Sequence, residues 1–153
     1  MLRVAIPGGD DLCLQHLVLD VNGTLSDRGA LIAGVGERVR VVREDLAVHM
    51  LSADTFGLAE NIAAQLRANF RPIRTGDDKR GFIERLGAKR CVAIGNGTND
   101  VPMLQAAALG IAVLGPEGTS GAATAAATIV CRSVLEALDL LSDPRALTAT
   151  LRR

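Results

Sequence analysis

The segment His16-Leu17-Val18-Leu19-Asp20-Val21-Asn22-Gly23-Thr24-Leu25 ends an apolar run on a carboxylate and follows it with an Asn-Gly-Thr turn. A buried strand that delivers one Asp to its carboxyl end, with a tight turn folding backbone amides around it, can hold that Asp as a nucleophile. A carboxylate attacking a phosphate dianion meets charge repulsion. It needs a divalent cation between the two, a fixed positive charge nearby and donors for the transferring oxygens. Magnesium suits the first need, since it prefers oxygen ligands and keeps several waters. Asp100 offers a second carboxylate, Asn96 an amide oxygen, Lys79 a fixed cation and Ser52 a hydroxyl. Glycines at 23, 95 and 97 let backbone approach a ligand closely.

Each piece has a plainer reading when taken alone. Asn22-Gly23 is a favoured hairpin turn. Ser52 can end a strand, Asp54 can cap the helix after it, and Lys79 can be a solvated lysine. Asp100 at a helix start favours the helix dipole. Gly95-x-Gly97 lacks the third glycine of a dinucleotide loop. His16 and His49 lie inside strands and read as core-edge histidines. The order of the four main elements, each at an expected strand end or helix start, is what turns them into a constellation.

The elements that must position these groups follow from the hydrophobic pattern. Met1–Ile6 and Leu12–Asp20 read as strands around a Pro-Gly-Gly-Asp-Asp turn. Residues 24–34 read as a small hairpin or flap. Val35–Leu46 has helical spacing through Val35, Val39, Val42 and Leu46. A strand over Ala47–Leu51 and a helix over Thr55–Ala68, with Thr55 as N-cap, come next. Phe70–Ile73, Cys91–Ile94, Ile111–Leu114 and Ile129–Cys131 read as further strands. Helices are expected over Asp77–Leu86, ending at Gly87, over Asp100–Ala108, over Thr119–Ala126 capped by Thr119, over Ser133–Leu141, and from Pro144 to Arg153. This alternation predicts an α/β fold, a mostly parallel sheet with helices on both faces in three Rossmann-like layers. Ligands in such sheets bind beyond the carboxyl ends of the strands, where the strand order reverses.

Composition sets the bounds. A chain of 153 residues, 48% of them hydrophobic, is expected to form one domain over 1–153 and to bury a core. Phe56, Phe70 and Phe82 are its only aromatics, so the core must be aliphatic and base-stacking platforms are not expected. Seventeen Lys and Arg balance seventeen Asp and Glu, so no net field favours nucleic acid or an anionic membrane. Cys13, Cys91 and Cys131 are odd in number and widely spaced, which argues against a disulfide framework or zinc. Cys91 and Cys131 read as reduced core thiols. With neither a signal segment nor a membrane-length apolar run visible, a cytoplasmic location is expected.

These four segments resemble the signature of the haloacid dehalogenase (HAD) superfamily of phosphotransferases. Asp20-Val21-Asn22-Gly23-Thr24-Leu25 is similar to its first motif, usually D-x-D-G-T. Leu51-Ser52-Ala53-Asp54 is similar to the second, Lys79 within Asp77–Gly87 to the third, and Gly95-Asn96-Gly97-Thr98-Asn99-Asp100-Val101-Pro102-Met103-Leu104 to the fourth. The second and fourth also resemble the T-G-D and G-D-G-x-N-D-x-P segments of the P-type ATPase phosphorylation domain. The strongest likeness is to small P-type-ATPase-like HAD hydrolases. The resemblance implies an aspartyl-phosphate on Asp20, with Asn22, Ser52 and Lys79 completing the catalytic group. It implies phosphate contacts from Asn22, Gly23, Ser52, Ala53, Lys79 and Asn99. Magnesium would be held by Asp20, the Asn22 carbonyl and Asn96 or Asp100.

Two departures from that pattern matter. The family's phosphatases usually carry Asp where this chain has Asn22, and there it protonates the leaving group and activates water. They also commonly carry Asp where this chain has Asn96, so the metal site loses one negative charge. The expected activity is therefore a slow phosphatase. The competing reading is a phosphoryl-accepting regulatory module with little turnover. The stretches from Asp20 to Ser52 and from Ser52 to Lys79 are too short to hold a cap or ATP-binding domain. The site should be open, serving a phosphorylated small molecule or macromolecule, with a homo-oligomer as one way to close it.

Overall fold

The structure is a computed structural model that describes residues 1–53 and 57–153. In chain order its elements are β1 (Leu2–Val4), β2 (Leu12–Leu14), β3 (His16–Asp20), β4 (Ser26–Asp27), β5 (Ala30–Leu31), α1 (Val35–Val42), β6 (Ala47–Ser52), α2 (Leu58–Leu66), β7 (Asn69–Pro72), α3 (Gly76–Leu86), β8 (Cys91–Gly95), α4 (Val101–Ala106), β9 (Leu109–Val113), α5 (Gly121–Ala126), β10 (Ile129–Cys131), α6 (Val134–Leu141) and α7 (Pro144–Leu151). Single 3-10 turns precede β8 and α4.

Six strands form one parallel sheet in the order β10-β9-β8-β3-β6-β7. The chain starts that sheet in the middle at β3, builds outward through β6 to β7, then returns and builds the other way from β8. The order therefore reverses between β3 and β8, and a crevice opens at their carboxyl ends. Asp20 ends β3, and the loop from Gly95 to Asp100 leaves β8, so both flank that crevice.

Two aliphatic cores cover the two faces. Leu17, Leu19, Val48, Met50, Val92 and Ile94 point toward α1, α2, α6 and α7, where Val35, Val39, Ile62, Leu138 and Leu147 meet them. Val18, Leu51, Cys91 and Ala93 point the other way, toward α3, α4 and α5, against Phe82, Ile83, Met103 and Ala123. Alternation along each strand thus feeds both layers. Asp20 follows Val18 in that alternation and points to the α3 side.

Several boundaries differ from the pattern-based reading. The run Leu12–Asp20 is two strands, because at Gln15 the backbone switches partners. Its amide donates to the Arg90 carbonyl and its carbonyl accepts from Ala47. Leu12–Leu14 instead pairs antiparallel with Leu2–Val4 in a separate ribbon. Helix α1 stops at Val42, and Leu46 reaches the core from the following turn, its amide bonded to the Val42 carbonyl. The helix expected from Thr55 is described from Leu58, behind Gly57. Thr55 and Asp54 lie outside the described residues. Helix α5 is capped by Ser120, not Thr119. No helix among the described residues is long and apolar enough to cross a membrane.

Candidate active site

Buried polar side chains meet at the crevice. The Lys79 ammonium lies 2.6 Å from Asp20 Oδ1 and 2.5 Å from Asp100 Oδ1. Thr24 Oγ1 lies 3.0 Å from Asp20 Oδ2 and 3.0 Å from Asn96 Oδ1. Asp100 and Lys79 are 0% and 1% exposed, and Asp20 is 7% exposed, so this charge cluster is nearly dry. Ser52 is buried at the end of β6, the strand beside β3.

Local sequence explains why each group stands where it does. Helix α3 begins with a capping box: Thr75 Oγ1 accepts from the Asp78 amide, and Asp78 Oδ2 accepts from the Thr75 amide. A second bond from the Arg74 amide to Asp78 Oδ2 anchors the entry. Lys79 follows in the first turn. Gly76 lets that turn press on the neighbouring loop, since a Cβ there would come within 2.7 Å of the Asn99 carbonyl. Gly95 does the same for Asp100, whose carboxylate would lie 2.5 Å from a Cβ. The second Asp100 oxygen accepts from the Asn96 and Gly97 amides at 3.0 and 2.9 Å.

Both Asp100 oxygens are therefore occupied. Asp100 fixes Lys79 and closes its own loop. Asn96 is oriented by different groups: its Nδ2 donates to the Gly118 carbonyl at 2.9 Å, which leaves Oδ1 to accept from the Thr24 hydroxyl. The Ser120 amide bonds the Asn96 carbonyl, and Thr98 Oγ1 meets Ser120 Oγ at 2.8 Å, tying this loop to the start of α5.

The electrostatics are unbalanced. Burial of two carboxylates around one ammonium leaves an excess negative charge in a low-dielectric site. Desolvation pushes the Asp20 carboxyl up to about 6, against the pull of Lys79 and with help from Asp100. Burial opposes the charge on Lys79, but the two carboxylates outweigh it and hold its ammonium above the ordinary lysine range. The Thr24 hydroxyl has one proton for two facing oxygens, on Asp20 and Asn96. An added hard cation would meet both demands, and the donors here are all oxygen, as magnesium prefers.

Lys79→Met should expose this dependence. It strands two buried carboxylates, with an expected loss of roughly 3–5 kcal/mol of stability. Urea unfolding in chelator at pH 7 measures it, and a loss below about 1 kcal/mol would show that the ammonium does not hold the cluster together.

The structure brings Asp20, Lys79, Asp100 and Asn96 into one network and leaves others outside it. Asn22 is exposed, with its side chain open to solvent. Ala53 is exposed just past Ser52. Gly23, a phosphate contact in the family resemblance, donates its amide to the Ser26 carbonyl. What Gly23 contributes is a missing side chain: at φ +75, a Cβ would stand 2.7 Å from Asn96 Nδ2. Asn99 is exposed, and its carbonyl is against Gly76.

Three contributors went unread in the sequence. Thr24 sits within the first motif, yet its link to Asn96 depends on a distant loop. Thr119 donates to the Val113 carbonyl and accepts from the Gly115 amide, bracing the turn after β9. Gly115 abuts the Gly23 carbonyl so closely that a Cβ would overlap it. Gly115→Ala should therefore push the two loops apart, at about 2–3 kcal/mol. A thermal unfolding midpoint equal to that of the unchanged protein would refute this packing.

A strand ending on a buried carboxylate, a buried lysine and an amide-rich loop meet at the switch point of this parallel α/β sheet. The pattern for haloacid dehalogenase-like hydrolases matches residues 83–136. Uncharacterized protein MJ0073 of Methanocaldococcus jannaschii is 44% identical over 64 residues, covering 42% of this chain and 69% of that protein. The 3-deoxy-D-manno-octulosonate 8-phosphate phosphatase of Moraxella catarrhalis, solved with magnesium, phosphate and KDO, shares the fold. Its TM-score is 0.69 at 18% identity, covering 91% of this chain and 94% of that one. A zinc-transporting PIB-type ATPase in the E2·Pi state has a TM-score of 0.67 at 25% identity. The match covers 79% of this chain and only 20% of that one. Residues 83–136 carry the haloacid dehalogenase-like pattern, and the α/β core has the fold of that family's phosphatases.

Proposed function

We propose that this protein is a magnesium-dependent phosphomonoester hydrolase that works through an aspartyl-phosphate on Asp20. One observation carries the reading: the Asp20 carboxylate is fixed at the switch point by Lys79 and Thr24, and the Asn96 amide oxygen meets the same Thr24 hydroxyl. Asp20 attacks phosphorus. Lys79 and Ser52 steady the transferring oxygens, and the Ala53 turn borders them. Asp100 keeps Lys79 charged and in place. Asp20, the Asn22 carbonyl and Asn96 would hold magnesium, with Asp100 behind them. When bound, it neutralises repulsion between the carboxylate and the phosphate dianion. The substrate is a phosphorylated small molecule or macromolecule that reaches an open site.

The test is hydrolysis of an aryl phosphate with magnesium and with chelator, alongside acid-quench trapping of an acyl-phosphate on Asp20. Metal-dependent turnover with a labelled Asp20 supports the proposal, and turnover that persists in chelator overturns it. Asn22 favours a second reading, in which the same site takes a phosphoryl group and releases it slowly. Its exposed amide cannot exchange a proton with a leaving group or water. A long-lived acyl-phosphate without turnover is the outcome that would select it.

A further inference from the structure

Strand β7 is an edge of the six-stranded sheet. Its Arg71 pairs in register with Leu51, a member of the core under α3, so Arg71 stands on the α3 face. Ile73, two residues on, joins the same core. Helix α3 meets this edge with Asp78, Phe82 and Arg85, spaced to share one helical stripe. The buried Phe82 ring lies edge-on to His49 at 5.4 Å, and the Arg85 guanidinium carbon is 5.9 Å from the centre of that ring. Between strand and helix is a cavity of about 380 Å³, lined by Arg71, Pro72, Ile73, Arg74, Asp78 and Arg85.

Three arginines share this cavity with one carboxylate, and that carboxylate is engaged. Asp78 Oδ2 accepts from the Arg74 and Thr75 amides at 2.8 and 3.0 Å. Elsewhere on the surface, Arg28, Arg38, Arg80 and Arg132 each hold an acid, and Arg80 takes Glu84, the acid next to Arg85. Among the described residues, Arg71, Arg74 and Arg85 form no ion pair and no side-chain hydrogen bond. A second arginine-lined groove holds Arg40, Arg43 and Arg67, but these stand at the C-terminal ends of α1 and α2, where the helix dipoles offset them. Arg71 and Arg74 have no such offset, since Arg74 leads into the N-terminus of α3. Like charges gathered this way repel. A guanidinium fork matches the oxygens of phosphate, and an oxyanion among the three would turn that repulsion into attraction.

We propose that this cavity is a second anion site, taking a phosphate group on Arg71, Arg74 and Arg85. It stands whether or not Asp20 carries a phosphoryl group. The bound group is the distal phosphate of a substrate that has two, or a free phosphate ligand. The probe is pyrophosphate, titrated calorimetrically into the intact protein in chelator at fixed ionic strength. Arg71→Gln combined with Arg85→Gln should weaken its binding by about tenfold or more. Arg74→Gln should weaken it in the same direction without touching the Phe82 ring. Arg40→Gln combined with Arg43→Gln removes the same charge from the other groove and should change the affinity by less than about twofold. Unchanged affinity in the first double variant overturns the site, as does an absence of pyrophosphate binding to the unchanged protein. Equal loss in the two double variants also overturns it, because net charge alone would then account for the attraction. Steady-state rates on an aryl phosphate bearing a second phosphate group separate the two sources. A raised KM in the Arg71→Gln, Arg85→Gln variant assigns the site to the substrate's distal phosphate, and an unchanged KM beside the weakened pyrophosphate binding assigns it to a free ligand.

Discussion

Asp20→Asn should abolish turnover of an aryl phosphate and, in chelator at pH 7, make the protein more stable than the unchanged chain. The first effect removes the nucleophile, and a drop beyond about a thousandfold is expected. The second comes from the direction of the Asp20 shift. Its carboxyl is raised from 3.8 to about 6, chiefly by desolvation. The folded state therefore holds the Asp20 proton in a range where the unfolded chain has released it. The stabilisation from that proton is complete below about pH 4 and is lost as pH rises through about 6. The loss is on the order of 2–3 kcal/mol. An amide at position 20 has no proton to lose. The gap between the two proteins should open between about pH 4 and 6, and magnesium should narrow it by binding only the carboxylate form. Thermal unfolding across that range, with and without magnesium, measures each part. If the Asp20→Asn variant were the less stable of the two at pH 7 in chelator, the charge imbalance would be contradicted.

Asn22→Asp carries the second large effect. General acid–base assistance is typically worth roughly 10²–10⁴-fold. The side chain at 22 is exposed, so the substitution should leave stability within about 0.5 kcal/mol. Acyl-phosphate decay should speed up by at least about tenfold. Unchanged turnover on a magnesium-dependent substrate would show that proton transfer at this position does not limit the reaction.

These effects depend on residues that were unequally readable. Asp20, Lys79, Asp100 and Ser52 could be picked out because strand ends and helix starts leave a local pattern, apolar runs stopping on polar groups. The sheet followed for the same reason: β6, β8, β9 and β10 each appeared as short apolar runs. The break at Gln15 left no such mark, because the apolar run continues through it and only the Arg90 and Ala47 backbone decides where the ribbon ends. The cap of α5 passed to Ser120 because Thr119 spends its hydroxyl on Val113 and Gly115. Thr24 and Gly115 depend on two loops far apart in sequence meeting in space. A glycine that must clear a remote carbonyl looks like any other loop glycine. Asp100 had a readable place and a hidden task, since its use of both oxygens emerges only once Lys79 and the Gly97 amide are beside it.

The central position of β3 also bears on how the protein comes to be made. Its two sheet neighbours, β6 and β8, are synthesised after it, and Asn96 and Gly115 are synthesised later still. On the ribosome, the nascent chain carries Asp20 long before Asp100 can hold Lys79 against it. The second half of the sheet must arrive before the carboxylate is aligned. Until then, a half-made chain has no aligned carboxylate at the crevice, and its open β3 edge needs shielding from other chains.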